Sequence, residues 1–521
     1  MPLLDGMKRR YRIILAIVAV AIVALAIGVA STVPVSSEAA REKVIAVLAQ
    51  KFDADVELGS LRLRVLPTLH AEGDDLVIRH KGRRDVPPLI TVRHFSADSS
   101  ALSLYRKHLS TVRLEGLDIQ IPPDHKRDRR EGVATTGEVG RAAVRAFVID
   151  HLQSVGGRLV ILRSQPEKPP RVWDIHRLRM QFVSFDRAMP FDATLSNAIP
   201  PGEIDVSGSF GPWNDADPGD TPLDGRFTFD RADLSIFKGI SGILSARGTF
   251  GGSLDTIDIH GHTETPDFTV VEAGHPISLH TDYHAIVDGM NGNTRLEPVD
   301  ARFNRTQVLA RGSVIDPPGH EHGRLVTLDV TMDQARLEDV LLLAVNAAKP
   351  PMTGALKLHT TMVIPPGDID VVEKLQLAGR FTIADTRFAS ADVQKKIDEL
   401  SRRSRGRPDA ETVTRVPSNF EGEFKLARGT LTIPQVAFNT PGSIVRLSGK
   451  YRIGPQTLDF AGTLLMDAKI SQTTTGFKSL LLKLVDPFFK RPGGGSEIPI
   501  RIKGRRSDPD IGLDKGRIFG R

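Results

Sequence analysis

From Val56 to the C-terminus the sequence alternates, and that period limits what the chain can fold into. In VELGSLRLRVLPTLHAEGDDLVIRH (56–80), Leu58, Leu61, Leu63, Leu76 and Ile78 stand among polar residues, as in strands with one buried face. Short runs of this kind continue, divided by PPDHKRDRREG (122–132), DADPGDTP (215–222), DPPGHEHG (316–323), SRRSRGRPD (401–409) and KRPGGGSE (490–497). A strand that is apolar on one side needs something over that side, and helical segments are few. Curling the sheet so that its apolar side lines a trough meets the need. With strands about 4.8 Å apart, roughly 20 to 25 of them would extend on the order of 100 to 120 Å. The alternative is a pair of closed β-sandwiches with their aromatic faces in contact. The expected fold is mainly β: one N-terminal transmembrane helix, then an elongated, curled, mostly antiparallel sheet forming an apolar groove, with a few short helices.

A glycine followed two residues later by an apolar residue recurs at Gly208/Phe210, Gly225/Phe227, Gly248/Phe250, Gly312/Val314, Gly354/Leu356, Gly379/Phe381, Gly422/Phe424, Gly449/Tyr451 and Gly462/Leu464. The pattern reads as strand beginnings, with glycine at a bend or bulge. Its spacing is irregular, which suits a meander better than a solenoid. Alternation then assigns Phe210, Phe227, Phe229, Phe250, Phe381, Ile383, Phe424, Leu426, Tyr451 and Leu464 to the groove lining. A one-residue slip would turn all of them outward.

Helical spacing appears in five places. Ser36 and Ser37 can cap a helix with Ala40, Val44, Val47 and Leu48 on one face, ending near Phe52. Segments 335–348 and 391–403 and a stretch around Arg141 to Leu152 have the same period. Near the end, Phe477, Leu480, Leu481, Leu484 and Val485 form a stripe beside Lys478 and Lys483 until Pro487 stops it. Such a piece would cover a sheet edge or lie on a membrane surface.

The N-terminus carries KRRYR (8–12) and then IILAIVAVAIVALAIGVA (13–30), an uncharged apolar run of 18 residues. As a helix it would extend about 27 Å, close to a hydrocarbon core of about 30 Å. Lys8, Arg9, Arg10 and Arg12 orient it with its N-terminus cytoplasmic, and Ile13, Leu15, Val18, Ile22, Leu25 and Ile27 would face lipid. A cleaved signal peptide is the other reading of the run, and either one exports the rest. The chain then divides into a cytoplasmic tip (1–12), the membrane helix (13–30), a helix with the start of the groove (31–121), a polar loop (122–140), the central and C-terminal groove (141–476), the amphipathic segment (477–489) and a final strand and tail (490–521).

This organisation resembles the AsmA-like proteins of diderm bacteria. The likeness lies in the basic tip, the single membrane helix, the 56–80 strand pair, the central GTFGGSLDTIDIHGHTETPDFTV and the closing MDAKISQTTTGFKSLLLKLVDPFF. It implies a bridge-like lipid carrier anchored in the inner membrane and extending into the periplasm, with phospholipids as its cargo. It implies a part in moving them to the outer membrane or in maintaining that membrane, with outer-membrane or other envelope proteins as further partners. A protein-binding envelope scaffold is the alternative.

TIDIHGHTETPDF (256–268) tests whether the chain is instead an enzyme. Ile257 and Ile259 alternate with Asp258, His260, His262 and Glu264, so the polar set falls on one face of one strand. Two histidines two apart can ligate a metal, and His275, His280 and His284 follow. No H-E-x-x-H or distant ligand completes a set, however, so the stretch reads as a solvent face rather than the centre of an exported metallohydrolase. There is no G-x-S-x-G, P-loop or G-x-G-x-x-G strand-to-helix turn either. Zero cysteines exclude thiolate metal sites and cysteine nucleophiles. The 69 Lys and Arg against 63 Asp and Glu are spread along the chain, unlike the concentrated charge of nucleic-acid binders. The expected protein is not an enzyme, holds no cofactor or metal and binds no nucleic acid.

Overall fold

The computed structural model describes residues 37–52, 54–64, 68–80, 87–121, 148–161, 170–184, 186–214, 217–289, 291–317, 323–409, 416–473, 489, 491, 494–506 and 508–514. The expected anchor from Ile13 to Ala30, its basic residues, the 122–140 loop and the stripe from Phe477 to Val485 lie outside these. Among the described residues, no helix is long and apolar enough to cross a membrane.

The chain is mainly β, and the described residues form 24 strands in one sheet. Each long strand pairs with its neighbours in sequence, from Ala54–Arg64 to Asp508–Leu513. The pairs are antiparallel except His108–Ile121 with Val148–Ile161, which run parallel. Segment 148–152, expected to be helical, is therefore strand. Its Val148 and Ile149 are β-branched and both buried, and from His151 exposed and buried residues alternate, with Leu152 and Ser154 buried. The helix expected over 335–348 spans only Leu337–Leu342, because the preceding strand runs to Arg336. The helix expected over 391–403 extends to Ser404, one turn into the segment read as a loop, and Ser390 Oγ caps it by accepting from the Val393 backbone N–H.

The sheet curls. The backbone N–H of Val371 donates to Lys238 O at 3.0 Å, joining the loop after strand Leu223–Asp233 to the helical turn before strand Gln376–Phe388. The same loop is bonded to the end of strand Thr256–Val270 through Ile240 and Val270, and five strands lie between that strand and Gln376–Phe388, so the contact spans six interstrand steps, or roughly 29 Å measured along the sheet. It also joins the finishing end of one strand to the starting end of another with the same direction. A flat ribbon cannot make that contact. The sheet winds as a spiral, with the stagger that closed barrels show between first and last strands.

The main core lies at the N-terminal end. Ala40, Val44 and Leu48, four residues apart on helix Ser37–Phe52, are buried against the apolar face of the first strands with Leu58, Leu76, Ile78, Val92 and Phe95. A smaller core gathers Leu337, Ala335, Leu356 and Ile383 beneath helix Leu337–Leu342.

Candidate functional site

Register follows one face through the whole sheet, because directly paired residues point the same way. Leu58 pairs with Leu76, Leu76 with Val92 and Val92 with Leu117. Further on, Met189 pairs with Phe210, and Val206 with Phe227. Phe227 pairs with Gly248, Phe250 with Ile259, Ile259 with Ala285, and Ala285 with Leu296. Leu296 reaches Gly312, then Leu328, Met362 and Leu377. Leu377 reaches Leu426, then Leu431, Tyr451, Leu458 and Gly504. All ten residues assigned to the groove by alternation fall on this face.

They do not share one environment. Phe210 packs against the N-terminal core, Ile383 is buried in the smaller core, and Phe381 lies beside it. Phe227, Phe229, Phe250, Phe424, Leu426, Tyr451 and Leu464 are half-buried outside both cores. Tyr283, Leu328, Phe420, Phe438, Phe460 and Ile502 share the face and were not singled out from the sequence. Only pairing finds them, since they lack the Gly-x-apolar signature. Phe388, Phe420 and Phe438 form a ring cluster, with the last two centroids 4.7 Å apart.

The glycines have a different role from the one expected. Most lie within strands, on the apolar face, opposite a large side chain of the next strand. In antiparallel neighbours two Gly-x-Phe units interlock: Phe227 pairs with Gly248, and Phe250 with Gly225. Phe381 and Gly422 repeat the arrangement with Phe424 and Gly379. At several positions a ring occupies the space a Cβ would need. Phe250 comes within 2.6 Å of the Cβ position at Gly225, and Tyr283 within 2.4 Å of that at Gly261. The motif therefore marks cross-strand ring seats rather than bends at strand starts.

The opposite face is polar and more exposed, as Arg226, Thr228, Asp230, Glu421, Glu423 and Lys425 illustrate. A cavity of about 540 Å³ lies on that side, lined by Lys357, His359, Arg380, Thr382, Glu421 and Glu423. Its cations and carboxylates offset one another, so it holds no one-signed field for a charged ligand.

Strand Thr256–Val270 puts its polar set on this outer face, as read from the sequence. His260 pairs directly with His284, His262 with Asp282, and Glu264 with His280. The His260 and His284 rings stack with centroids 4.3 Å apart and planes 9° from parallel. Both Nε2 atoms lie 3.1 Å from the Asp258 carboxylate. His262 has a carboxylate at each ring nitrogen, with Nδ1 2.8 Å from an Asp282 oxygen and Nε2 3.1 Å from a Glu264 oxygen. The Asp282 hydrogen bond raises the His262 pKa above its ordinary value; burial opposes this and Glu264 adds to it. Other histidines outside this patch also face carboxylates across strands, among them His70 with Asp98 and His94 with Asp74.

No family model, curated protein or solved structure matches the chain.

Proposed function

We propose that this chain is an AsmA-like lipid carrier of the cell envelope. It is anchored in the inner membrane through Ile13–Ala30, with its N-terminus cytoplasmic and the curled sheet in the periplasm. The sheet holds acyl chains along its apolar side and assists phospholipid movement toward the outer membrane or the upkeep of that membrane. The carrying observation is the unbroken apolar face together with its half-exposed large side chains between the two cores. Phe227, Phe229 and Phe250 would be covered by hydrocarbon tails in place of a second protein layer, at about 25 cal/mol for each Å² removed from water.

The test uses the full chain in its membrane, with a photoreactive residue replacing Phe227 or Phe381. Matched probes replace Thr228 or Thr382, their neighbours on the polar face. Phospholipid adducts at the two phenylalanine positions and not at the two threonine positions are the expected result. Equal labelling on both faces, or adducts to protein alone, would overturn the lipid reading and favour a protein-binding scaffold.

A further inference from the structure

The outer face carries chemistry that lipid binding does not use. Four of the chain's 15 histidines stand on two paired strands within 25 residues, and the pairing sorts them into two trios. In the first, Asp258, His260 and His284 bring their ligand atoms within 4.8 Å of one another; in the second, His262, Glu264 and His280 do the same. Each trio is two imidazoles and one carboxylate, the donor mixture suited to zinc, copper or nickel.

The geometry points to a pair of divalent transition-metal sites on the outer face of these strands, one held by Asp258, His260 and His284 and the other by His262, Glu264 and His280. In the first trio the carboxylate already faces both Nε2 atoms at 3.1 Å, so an ion drawn among the three would replace shared protons. Metal–ligand bonds of about 2.0 to 2.2 Å require donor atoms roughly 3 to 3.5 Å apart. His260 with His284, and Glu264 with His280, are directly paired with Cβ atoms about 5 Å apart, and Asp258 and His262 stand on the same face two residues along, so side-chain rotation rather than a backbone shift would close the difference. His284 and His262 are the sheltered members, and the remaining positions of each ion open to water. The trios are offset by four residues along the strands, so the two ions would lie roughly 13 Å apart. That exceeds the 3.5 to 4 Å of two-metal hydrolytic centres, so the ions would bind side by side without a shared oxygen.

Zinc sulfate provides the test, added to the full chain after purification in detergent and removal of metal with a chelator. Equilibrium dialysis should show the unaltered chain holding two more zinc ions than a variant with His260, His262, His280 and His284 all changed to alanine. The pair His260→Ala and His284→Ala should lose one of them, and His262→Ala with His280→Ala the other. These side chains lie on a solvated face, so the metal-free melting temperature should stay the same. If the four-histidine variant does not fold, Asp258→Asn and Glu264→Gln take its place, each removing one zinc ion. Equal zinc content in the unaltered chain and the variants would overturn the assignment, as would no zinc in the unaltered chain. Loss of a single ion would overturn one trio and sustain the other.

Discussion

The first strands and the middle strands are built from the same material and end in different states. Both place aliphatic and aromatic residues on one face, and both seat rings over glycines, as Phe95 does over Gly73 and Phe250 over Gly225. In the first region Leu76, Ile78, Val92 and Phe95 are almost completely buried. From strand Leu223–Asp233 through Thr306–Ile315, the buried apolar residues are mostly alanines, including Ala232, Ala246, Ala285 and Ala310, while Phe227, Phe229 and Phe250 stay half-exposed. Helix Ser37–Phe52 accounts for the contrast, since it is a second layer with no counterpart over the middle region among the described residues. A strand's sequence decides which face is apolar. Whether that face is sealed depends on what the rest of the chain lays over it.

Truncating a ring in each region measures that contrast directly. Phe95 is 1% exposed. Phe95→Ala should cost about 3 to 5 kcal/mol, the usual range for an aromatic ring removed from a packed core. The check is chemical denaturation of the detergent-solubilised chain, following the transition of the N-terminal region. A loss below about 1 kcal/mol would mean that this region is no better sealed than the middle one.

The small core under helix Leu337–Leu342 is intermediate between the two. Glu338, only 13% exposed, lies 2.7 Å from Arg305 and 3.1 Å from Arg336, and its other oxygen accepts the Gly354 N–H. Glu338→Ala leaves those donors without a partner and should cost about 2 to 3 kcal/mol. Burial pushes the Glu338 pKa up, but the N–H groups of its own backbone and Gly354, and then Arg336, outweigh it and leave the value below the ordinary 4.5. With the folded value depressed, the contribution is complete above pH 4.5 and is lost as pH falls through the lower folded value. The stability gap between Glu338→Gln and the unaltered chain should therefore narrow on acidification below about pH 5. A gap that widens would place the favourable contacts on the neutral acid.

Much of this was legible in the sequence. Two-residue alternation gave the β class, a range of roughly 20 to 25 strands that contains the 24 described, and the shared face of the ten residues assigned to the lining. The four-residue spacing of Ala40, Val44 and Leu48 gave the first helix. Alternation says nothing about which strands adjoin, so it could not show that His284 lies opposite His260 or that Tyr283 covers Gly261. It also could not separate Ile383, sealed by a short helix, from Phe424 two strand positions away and open. Segment 148–152 misled because a few apolar residues satisfy a helical period over a single turn, while long-range pairing with strand His108–Ile121 decides the outcome; residues 141–147 lie outside the described residues.

The ring seats sharpen the comparison from the backbone side. A Cβ at Gly261 would lie 2.4 Å from the Tyr283 ring. Gly261→Ala must push that ring off its seat, at about 1 to 3 kcal/mol if the neighbours are fixed. In the open region the ring has free space to swing into, so the lower end of the range is expected. The corresponding Gly73→Ala, beneath fully buried Phe95, should reach the upper end. Equal costs at the two glycines, measured by the same denaturation, would remove the distinction between a sealed and an open face.

The smallest effect is the most informative. Phe227 is half-buried and covers Gly248, and among the described residues it belongs to neither helix-covered core. Phe227→Ala should cost about 1 kcal/mol or less in lipid-free detergent, because part of the ring is already in water and little cavity is left behind. If hydrocarbon tails occupy this face, they bind the folded state alone, and added phospholipid raises the melting temperature by mass action. Phe227→Ala removes part of the surface they cover, so the variant should gain less from lipid than the unaltered chain does. Phe95→Ala should keep the full lipid-dependent rise above its lower starting point. A lipid response that falls equally in both variants would tie the effect to general stability and not to the open face.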